Sequence, residues 1–355
     1  MLMTAPRDFK SLQSVFSKET LSVNARLSFG YFFRDIFLYV FLFVLIWSTD
    51  RIYFLIPLWI LLGMVSLGLY QIGHDTAHGS LFPGKRMSWW IGQIAFLPSL
   101  HPYGPWVYGH NEIHHSFTVR LKGDLAWHPR SPARYAGMTA FERIMHRIYW
   151  SFAGGGIYYL IKMWLQGLIL FTPPRKNAKR DTVIVISFAL IAMSFLLYFG
   201  GRVYYGYSLA KGSWFVVKLY LIPFIIINYF IGITVYIQHI NPEIPWLREE
   251  QWTPYHGQLK GTTNYKLPGF VNFFIHNIFI HAPHHIQPAI PFYNLPEALD
   301  ELRKEYGEDL YENRSFLKDL IRSFSACKLY DADRKKWVGY ADVQDNSSGR
   351  TPSSL

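Results

Sequence analysis

Histidines at metal-binding spacing are the most informative feature of this sequence. Nine of its fourteen histidines fall in four short stretches, and each stretch lies close to a long apolar segment. Neutral imidazole is the commonest side-chain metal ligand, and nine rings are more than one ion needs. The sequence therefore predicts a site for two metal ions. The predicted ligands are His74, His78, His110, His114, His115, His239, His281, His284 and His285.

The spacing within the stretches would place neighbouring rings on one face of a helix. His74 and His78 are four residues apart, one above the other on a helix. The second stretch has spacing i, i+4, i+5 from His110, and the last stretch has spacing i, i+3, i+4 from His281. An isolated histidine here would be a hydrogen-bonded structural residue. Clustered rings repel when protonated and lack partners when buried and neutral, and a bound metal removes both problems.

The types of ligand favour iron. Structural zinc prefers four ligands that often include thiolates, and the chain has a single cysteine, Cys327. Two catalytic zinc ions would need fewer histidines than these. Soluble di-iron bundles use glutamates with Glu-x-x-His motifs, whereas this site would consist mainly of imidazole. A two-metal site with mainly nitrogen ligands and open coordination positions is typical of iron that reacts with oxygen.

Four apolar stretches place the chain in a membrane. They cover about 33–48, 52–70, 182–199 and 214–238, and a bilayer core of about 30 Å needs roughly 20 apolar residues. Soluble core helices are the alternative for any one of them, but such helices rarely run so long with so little charge. Arg34, Asp35 and Lys218 are expected near helix ends, within reach of the interface. Two further apolar stretches, 87–100 and 148–171, are expected to lie at the interface or against the protein.

The distribution of charge predicts the orientation. The net charge is +11, and 13 of the 35 lysines and arginines lie between the second and third apolar stretches, whereas the other two connections contain only Arg51, Arg202 and Lys211. By the positive-inside rule, this region and both termini are cytoplasmic. Two predicted membrane crossings separate the second histidine stretch from the last one, so both would lie on this side. A nucleic-acid partner is not expected, because no basic helix stands clear of the apolar segments.

The remaining sequence predicts one domain over residues 1–343 and a disordered tail at 344–355, which is rich in serine and other polar residues. The N-terminal residues lack an apolar core followed by a cleavage site, so no signal peptide is expected. One cysteine excludes a disulfide framework and a cysteine-ligated iron–sulfur cluster within the chain.

The histidine stretches resemble the three histidine boxes of the integral-membrane fatty acid desaturase superfamily, most closely the methyl-end (omega-6, delta-12 type) acyl-lipid desaturases. The patterns are H-x-x-x-H, H-x-x-x-H-H and H-x-x-H-H, and the second box has three residues before its paired histidines where two are common. The resemblance covers about Tyr31 to Leu299. It includes Gly73-His74-Asp75, Gln238-His239 and the run Phe274-Ile275-His276-Asn277 before the third box.

This resemblance implies an all-α integral membrane fold: four transmembrane helices in two hairpins, interfacial helices, and a cytoplasmic helical cap that holds a di-iron site. It implies that the nine histidines bind two Fe ions, with O2 as co-substrate and an acyl lipid or acyl-carrier-protein thioester as substrate. Residues expected to hydrogen-bond the ligands, or to organise the loops beside them, are Asp75, Asp124, His276 and Asn277. Electrons would come from a separate ferredoxin or cytochrome b5 type protein, because neither a His-Pro-Gly-Gly haem signature nor a Gly-x-Gly-x-x-Gly loop occurs.

The expected activity is insertion of a double bond into an acyl chain held in an apolar tunnel. Aromatic residues that could line it are Trp89, Trp90, Phe96, Trp106, Tyr158, Tyr159 and Trp164. Hydroxylases, acetylenases and carotenoid ketolases or hydroxylases share the scaffold and are the enzymatic alternatives. A metal transporter or sensor is the non-enzymatic alternative, although transporters usually place ionisable ligands near mid-membrane.

Overall fold

The computed structural model describes residues 9–202, 206–313 and 315–343, and these are mostly helical. The predicted tail at 344–355 lies outside the described residues. The α-helices are α1 Phe9–Gln13, α2 Ala25–Trp47, α3 Ile52–His78, α4 Lys85–Phe96, α5 Tyr103–Val107, α6 His115–Phe117, α7 Pro132–Ala136, α8 Ala140–Tyr149, α9 Gly155–Tyr158, α10 Ala178–Gly201, α11 Leu209–Val216, α12 Ile222–His239, α13 Gly269–Ile275, α14 Ala282–Ile286, α15 Leu295–Tyr306 and α16 Phe316–Ala326.

Shorter elements connect these helices. The π-helical segments are Tyr108–His114, Tyr159–Ile169, Val217–Leu221 and Tyr255–Lys260, and the 3-10 turns are Leu97–Ser99, Glu249–Gln251, Phe292–Asn294 and Gly307–Asp309. Strand β1 (Thr263–Asn264) pairs in parallel with β2 (Tyr311–Glu312), and β3 (Leu329–Asp331) pairs antiparallel with β4 (Lys336–Val338). Both pairs are too short to organise the fold, which is built by helix packing.

Four helical segments of the described chain are long and apolar enough to cross a bilayer: α2, α3, α10, and the continuous run Leu209–His239 formed by α11, Val217–Leu221 and α12. They contain the four predicted stretches, apart from Ser48 at the end of the first, and extend beyond them. Helix α2 begins at Ala25, well before the predicted start, because the Asn24 side chain accepts a hydrogen bond from the Leu27 N–H. Helix α3 ends at His78, where Gly79 takes a left-handed conformation.

The outer surfaces of these helices expose large apolar side chains. Phe33 and Phe37 on α2 are 62% and 67% exposed, and Ile191 on α10 is 69% exposed. An apolar surface of this extent is unfavourable in water and favourable in contact with lipid. The exposed surface and the lengths of the helices together identify a membrane-associated protein.

Asp35 and Lys218, two of the three charged residues expected near helix ends, are buried within the protein. Because α2 begins early, Arg34 and Asp35 lie within the helix, and Asp35 is buried against His276 and the Arg34 guanidinium. Lys218 is also fully buried, and its ammonium group donates to Trp47 O, Thr49 O and Asp50 Oδ1. Each charge has an opposite charge or carbonyl oxygens as partners, which offsets much of its cost of burial.

Helix α3 is the centre of the packing, with contacts to α2, α4, α12 and α13. The approach of α13 is close because a Cβ at Gly68 would collide with the backbone oxygen of Phe274. This contact matters for the site, since α3 ends in the first histidine box and α13 leads into the third. A glycine is therefore needed well inside an apolar helix.

The two stretches expected at the interface differ in form. The first stretch forms helix α4 and the turn Leu97–Ser99 that follows it, in agreement with the expected helix. The second is broken between Tyr149 and Gly155, because α8 ends and the chain turns before α9. A Cβ at Gly154 would overlap the backbone oxygen of Ile148, so this tight turn depends on glycine.

Candidate metal centre

The structure brings eight of the nine predicted ligands into two groups of four, in each of which the candidate ligand atoms lie within 4.8 Å of one another. Set A is His74, His78, His110 and His284, and set B is His114, His239, His281 and His285. His115, the ninth, adjoins set A: its Nε2 lies 3.1 Å from both His110 Nε2 and His284 Nε2.

The ends of the long helices position the first ligands. The last two turns of α3 carry His74 and His78 into set A, and the last residue of α12 is His239 in set B. The third box begins at the N-cap of α14, whose first turn contains Pro283, and contributes to both sets. Proline at the first turn of a helix loses no hydrogen bond, so it is compatible with a helix starting next to His281.

The second box lies on the π-helical segment Tyr108–His114, which continues directly into His115. A π-helix brings residues five apart close together, and the rings of His110 and His115 meet in this way. His114 contacts His239 instead, with 3.1 Å between their Nε2 atoms. This one segment therefore contributes ligands to both sets, which the spacing alone did not predict.

In set B, hydrogen bonds fix which nitrogen carries the proton in three of the four rings. His114 Nδ1 lies 3.0 Å from Asp124 Oδ1, and His239 Nδ1 lies 3.0 Å from the Gly261 carbonyl oxygen. Both oxygens only accept hydrogen bonds, so each Nδ1 must be the donor. When both rings are neutral, their Nε2 lone pairs face each other at 3.1 Å.

His285 repeats this arrangement, and His281 joins the set through its Nε2. His285 Nδ1 lies 2.8 Å from Gln258 Oε1, which leaves its Nε2 lone pair 2.9 Å from His281 Nε2. His281 Nε2 is in turn 3.1 Å from His239 Nε2. Ligand nitrogens that share one ion at about 2.1 Å and at right angles lie about 3.0 Å apart, so the observed separations fit a metal ion.

Set A has fewer fixed protons. His74 Nδ1 lies 2.8 Å from Asp75 Oδ1, so its Nε2 is free to bind metal. Two buried nitrogens have no hydrogen-bond partner among the described residues, His78 Nε2 and His115 Nδ1. The indole of Trp106 stacks on the His110 ring with 4.4 Å between centroids. Unpartnered buried nitrogens are costly, and a cation in set A would bind the lone pair of His78 Nε2.

Burial keeps five of the rings outside the long helices neutral. It holds the pKa values of His110, His115, His281, His284 and His285 well below the ordinary value, and charge on neighbouring histidines would lower each pKa further. A neutral ring can offer a lone pair, whereas a protonated ring cannot. Neither set includes Cys327, so the donors are all imidazole. This donor set fits two iron ions.

The four predicted partners of the ligands have different contacts. Asp75 and Asp124 contact ligand rings as described above, and Asp124 also accepts the Val119 and Ala126 N–H groups. His276 instead pairs with Asp35 and stacks on Phe292, with 4.4 Å between ring centroids. Asn277 Nδ2 donates to the Phe292 carbonyl oxygen.

Further contacts to the ligands come from residues outside the predicted set. Gln258 accepts from His285 Nδ1, and Thr118 Oγ1 lies 3.2 Å from the same nitrogen. Asn264 Oδ1 accepts the N–H groups of His281 and Ala282 at 3.0 Å each, which holds the start of α14. These residues carry no motif, and only the folded chain reveals that they lie beside the boxes.

A cavity of about 560 Å³ opens onto both sets. His74, His110 and His284 of set A and His114, His239 and His281 of set B lie along its lining. Of the seven aromatic residues considered for a tunnel, Trp106, Tyr158 and Tyr159 line it. The other four pack elsewhere: Trp89 donates to Asp181, Trp90 is exposed, Phe96 is in the core, and Trp164 donates to the Leu100 carbonyl oxygen.

Comparison with known proteins of similar sequence identifies the family of this chain. The fatty acid desaturase family model matches residues 50–316. The sn-1 oleoyl-lipid 12-desaturase of Picosynechococcus is 29% identical over 82% of this chain and 81% of its own length. The chloroplastic omega-6 fatty acid desaturase of Glycine max is 29% identical over 79% of this chain and 64% of its own length.

A third relative matches over still more of the chain. The sn-1 acyl-lipid omega-3 desaturase (ferredoxin) of Synechocystis is 28% identical over 91% of this chain and 88% of its own length. The resemblance read from the histidine boxes is thereby confirmed, as is the predicted activity. The chain belongs to the fatty acid desaturase family and is an oxidoreductase that introduces a double bond into a fatty acyl chain.

Proposed function

We propose that the protein is an O2-dependent di-iron desaturase that acts on an acyl chain carried by a membrane lipid. The observation that carries this proposal is the pair of histidine sets, whose lone pairs converge beside an apolar cavity. Set A, joined by His115, would hold one iron ion, and set B would hold the other. When bound, the two ions supply oxygen activation and the oxidising power needed to remove hydrogen from unactivated methylenes.

The overall reaction balances with an external source of electrons. Two hydrogen atoms leave adjacent methylenes, and O2 takes these together with two electrons and two protons to give two water molecules and a double bond. A ferredoxin or cytochrome b5 type protein would supply the electrons. The Synechocystis relative is named for ferredoxin, which supports the first of these donors.

The protein residues would orient the ligands and exclude water. Asp75 and Asp124 hold the proton on Nδ1 of His74 and His114, which keeps Nε2 available and increases its basicity. His276 and Asn277 would act further out. They hold Phe292, whose N–H donates to Asp75 Oδ2 at 2.7 Å, and so support the carboxylate that orients His74.

We propose that the four long helices cross the membrane as two hairpins, with the histidine boxes and both termini in the cytoplasm. The packing of α2 on α3 and of α10 on α11 supports the hairpins. The basic residues between α3 and α10 support the orientation. On this view residues 1–343 form one domain, and the remaining helices cap the ends of the spanning helices around the iron ions.

Labelling of single cysteines with a membrane-impermeant maleimide tests the orientation. In a Cys327→Ser background, Ser48→Cys in the short α2–α3 connection should react in intact cells. Lys179→Cys near the start of α10 should react only after the membrane is permeabilised. The reverse pattern would place the boxes on the outer side and contradict the proposal.

The substrate is proposed to be a lipid-bound chain that receives its new double bond toward the methyl end. The Picosynechococcus relative is named for an oleoyl lipid, and the cavity is of a size and character that suits an acyl chain. An acyl-carrier-protein thioester is the alternative carrier. Purified enzyme supplied with ferredoxin and either dioleoyl lipid or oleoyl-carrier protein would distinguish the two.

Expression in a host that contains a compatible ferredoxin tests the reaction itself. Mass spectrometry of the fatty acids should show a product that has lost two hydrogens. A product that has gained oxygen would instead indicate a hydroxylase on the same scaffold. Metal-dependent growth with an unchanged lipid profile would favour the transporter or sensor alternative.

A further inference from the structure

The open end of the cavity is basic, whereas its inner end is lined mainly by histidines and by apolar side chains. Lys122, Arg130 and Lys162 line the cavity, and all three are exposed. His74 and His239 line the same cavity and are buried. The difference in burial places the three cations at the rim and the metal ligands at the inner end.

The rim cations come from two separate parts of the chain. Lys122 and Arg130 flank the loop that follows the second box, and Lys162 lies on the π-helical segment Tyr159–Ile169. Among the described residues, none of the three has a carboxylate within ion-pair distance, and Lys162 Nζ contacts only the amide oxygen of Gln166. The one acidic residue of the lining, Asp124, is buried and already accepts from His114.

Some exposed arginines elsewhere in the described chain do have acidic partners. Arg175 pairs with Glu112, and Arg248 pairs with Asp333 at 2.6 Å. The three rim cations are therefore a local excess of positive charge at the entrance of an apolar cavity. Such an arrangement attracts an anion and holds it by charge-assisted hydrogen bonds.

Apolar groups beside these cations indicate the kind of anion. Leu125, between Lys122 and Arg130, is 61% exposed at the rim. The helical segment that carries Lys162 runs into Leu170 and Phe171, which are 69% and 47% exposed. The entrance thus borders a surface suited to lipid rather than to the water-exposed face of a carrier protein. A molecule with an acyl chain and a phosphate would match both features.

We propose that Lys122, Arg130 and Lys162 form a headgroup site for the phosphate of an anionic phospholipid whose acyl chain enters the cavity. This inference rests on the proposed function, because it identifies the class of lipid that the desaturase uses. Positive charge at three points around the entrance would select phospholipids of net negative charge over zwitterionic ones. The ammonium group of a zwitterionic headgroup would be repelled by the same cations.

A competition experiment tests this site without interference from the charge of the membrane surface. Purified enzyme and ferredoxin are mixed with vesicles that contain equal amounts of dioleoyl phosphatidylglycerol and dioleoyl phosphatidylcholine. Mass spectrometry then measures the new double bond in each lipid class. We expect the unmodified enzyme to favour the phosphatidylglycerol by about tenfold, the size of effect expected from one or two charge-assisted contacts.

The triple variant Lys122→Gln, Arg130→Gln, Lys162→Gln should bring this ratio close to one. A matched variant, Lys85→Gln, Lys176→Gln, Lys179→Gln, removes the same charge from exposed positions outside the cavity lining and should keep the preference. Lys162→Gln alone, at an exposed position, should lower the ratio by about threefold and serves if the triple variant does not fold.

Four results would overturn the headgroup site: no preference in the unmodified enzyme, an undiminished preference in the triple variant, an equal loss in the matched variant, or desaturation of oleoyl-carrier protein in place of both lipids. Equal use of the two lipids would leave the proposed desaturation intact. A double bond in none of these substrates would instead count against the proposed function itself.

Discussion

The two histidine sets differ in how firmly their rings are held. In set B all four rings are buried, and three of them have an Nδ1 acceptor in Asp124, Gly261 or Gln258. In set A, two of the four rings are half-buried, and only His74 has such an acceptor, Asp75. The same side-chain type thus occurs in a rigid setting and in a looser one, with 5.5 Å between the ring centroids of His284 in set A and His281 in set B.

The difference in hydrogen bonding implies that the two sets would bind a metal ion with different affinities, although both consist of imidazole. A ring whose Nδ1 is hydrogen-bonded pays little to orient itself when metal binds, while an unpartnered ring must lose its freedom at that moment. We therefore expect set B to bind its ion more tightly. Set A should exchange its ion more readily.

Removal of one ligand from each set should have the largest effect. We expect His284→Ala in set A and His114→Ala in set B each to reduce the new double bond more than about 100-fold, because each deletes an imidazole that binds metal directly. The iron content, measured by elemental analysis, should fall from about two ions per chain to about one or fewer. His256→Ala, outside both sets, is the control and should keep both values; activity in both ligand variants would refute the assignment.

Loss of the orienting carboxylates should have the next largest effect. Asp124→Asn and Asp75→Asn should each weaken iron binding by about 10- to 100-fold, the usual cost of losing such a partner. Titration with a chelator should remove the set A ion first from the unmodified protein. Asp124→Asn should reverse that order, and an unchanged order would mean that Asp124 does not control set B.

Gln258 allows a smaller test that is specific to set B. Gln258→Leu removes the acceptor of His285 Nδ1 and should weaken the tighter site by about tenfold. Gln258→Glu keeps an acceptor at this position and should retain most of the affinity. Chelator titration that shows equal losses in both variants would indicate that Gln258 acts through packing alone.

Acidification should give the smallest difference between the two sets, which is a difference in the pH at which each releases its ion. Burial holds the pKa values of His284 and His285 below the ordinary 6.5, so the neutral, metal-binding form persists at neutral pH and proton competition begins only as pH falls below that value. The metal-free fold should likewise lose stability as pH falls through this range, because the unfolded chain binds the protons first. Stepwise dialysis should release the set A ion at a pH higher by less than about one unit; release of the set B ion first would contradict the comparison.

Much of this protein could be predicted because the relevant signals are local. Length and composition predict the long helices, and the spacing of the boxes predicts the metal ligands. Asp75 and Asp124 could be named because they lie next to or near a box in the chain. Gln258, Gly261 and Asp35 could not be assigned a role, since their partners are distant in sequence and depend on helix packing.

The amino-acid sequence by itself determined the family, the long apolar helices and the candidate imidazole donors, because apolar length and short-range spacing are properties of the chain. Only the tertiary structure decided how eight of the nine candidate rings divide into two sets. That division depends on a π-helical segment that turns His110 and His114 toward different partners, and on the meeting of α3, α12 and α14. It also decided which rings are fixed by hydrogen bonds, since an acceptor such as the Gly261 carbonyl oxygen is present in every residue and becomes specific only by its position in space.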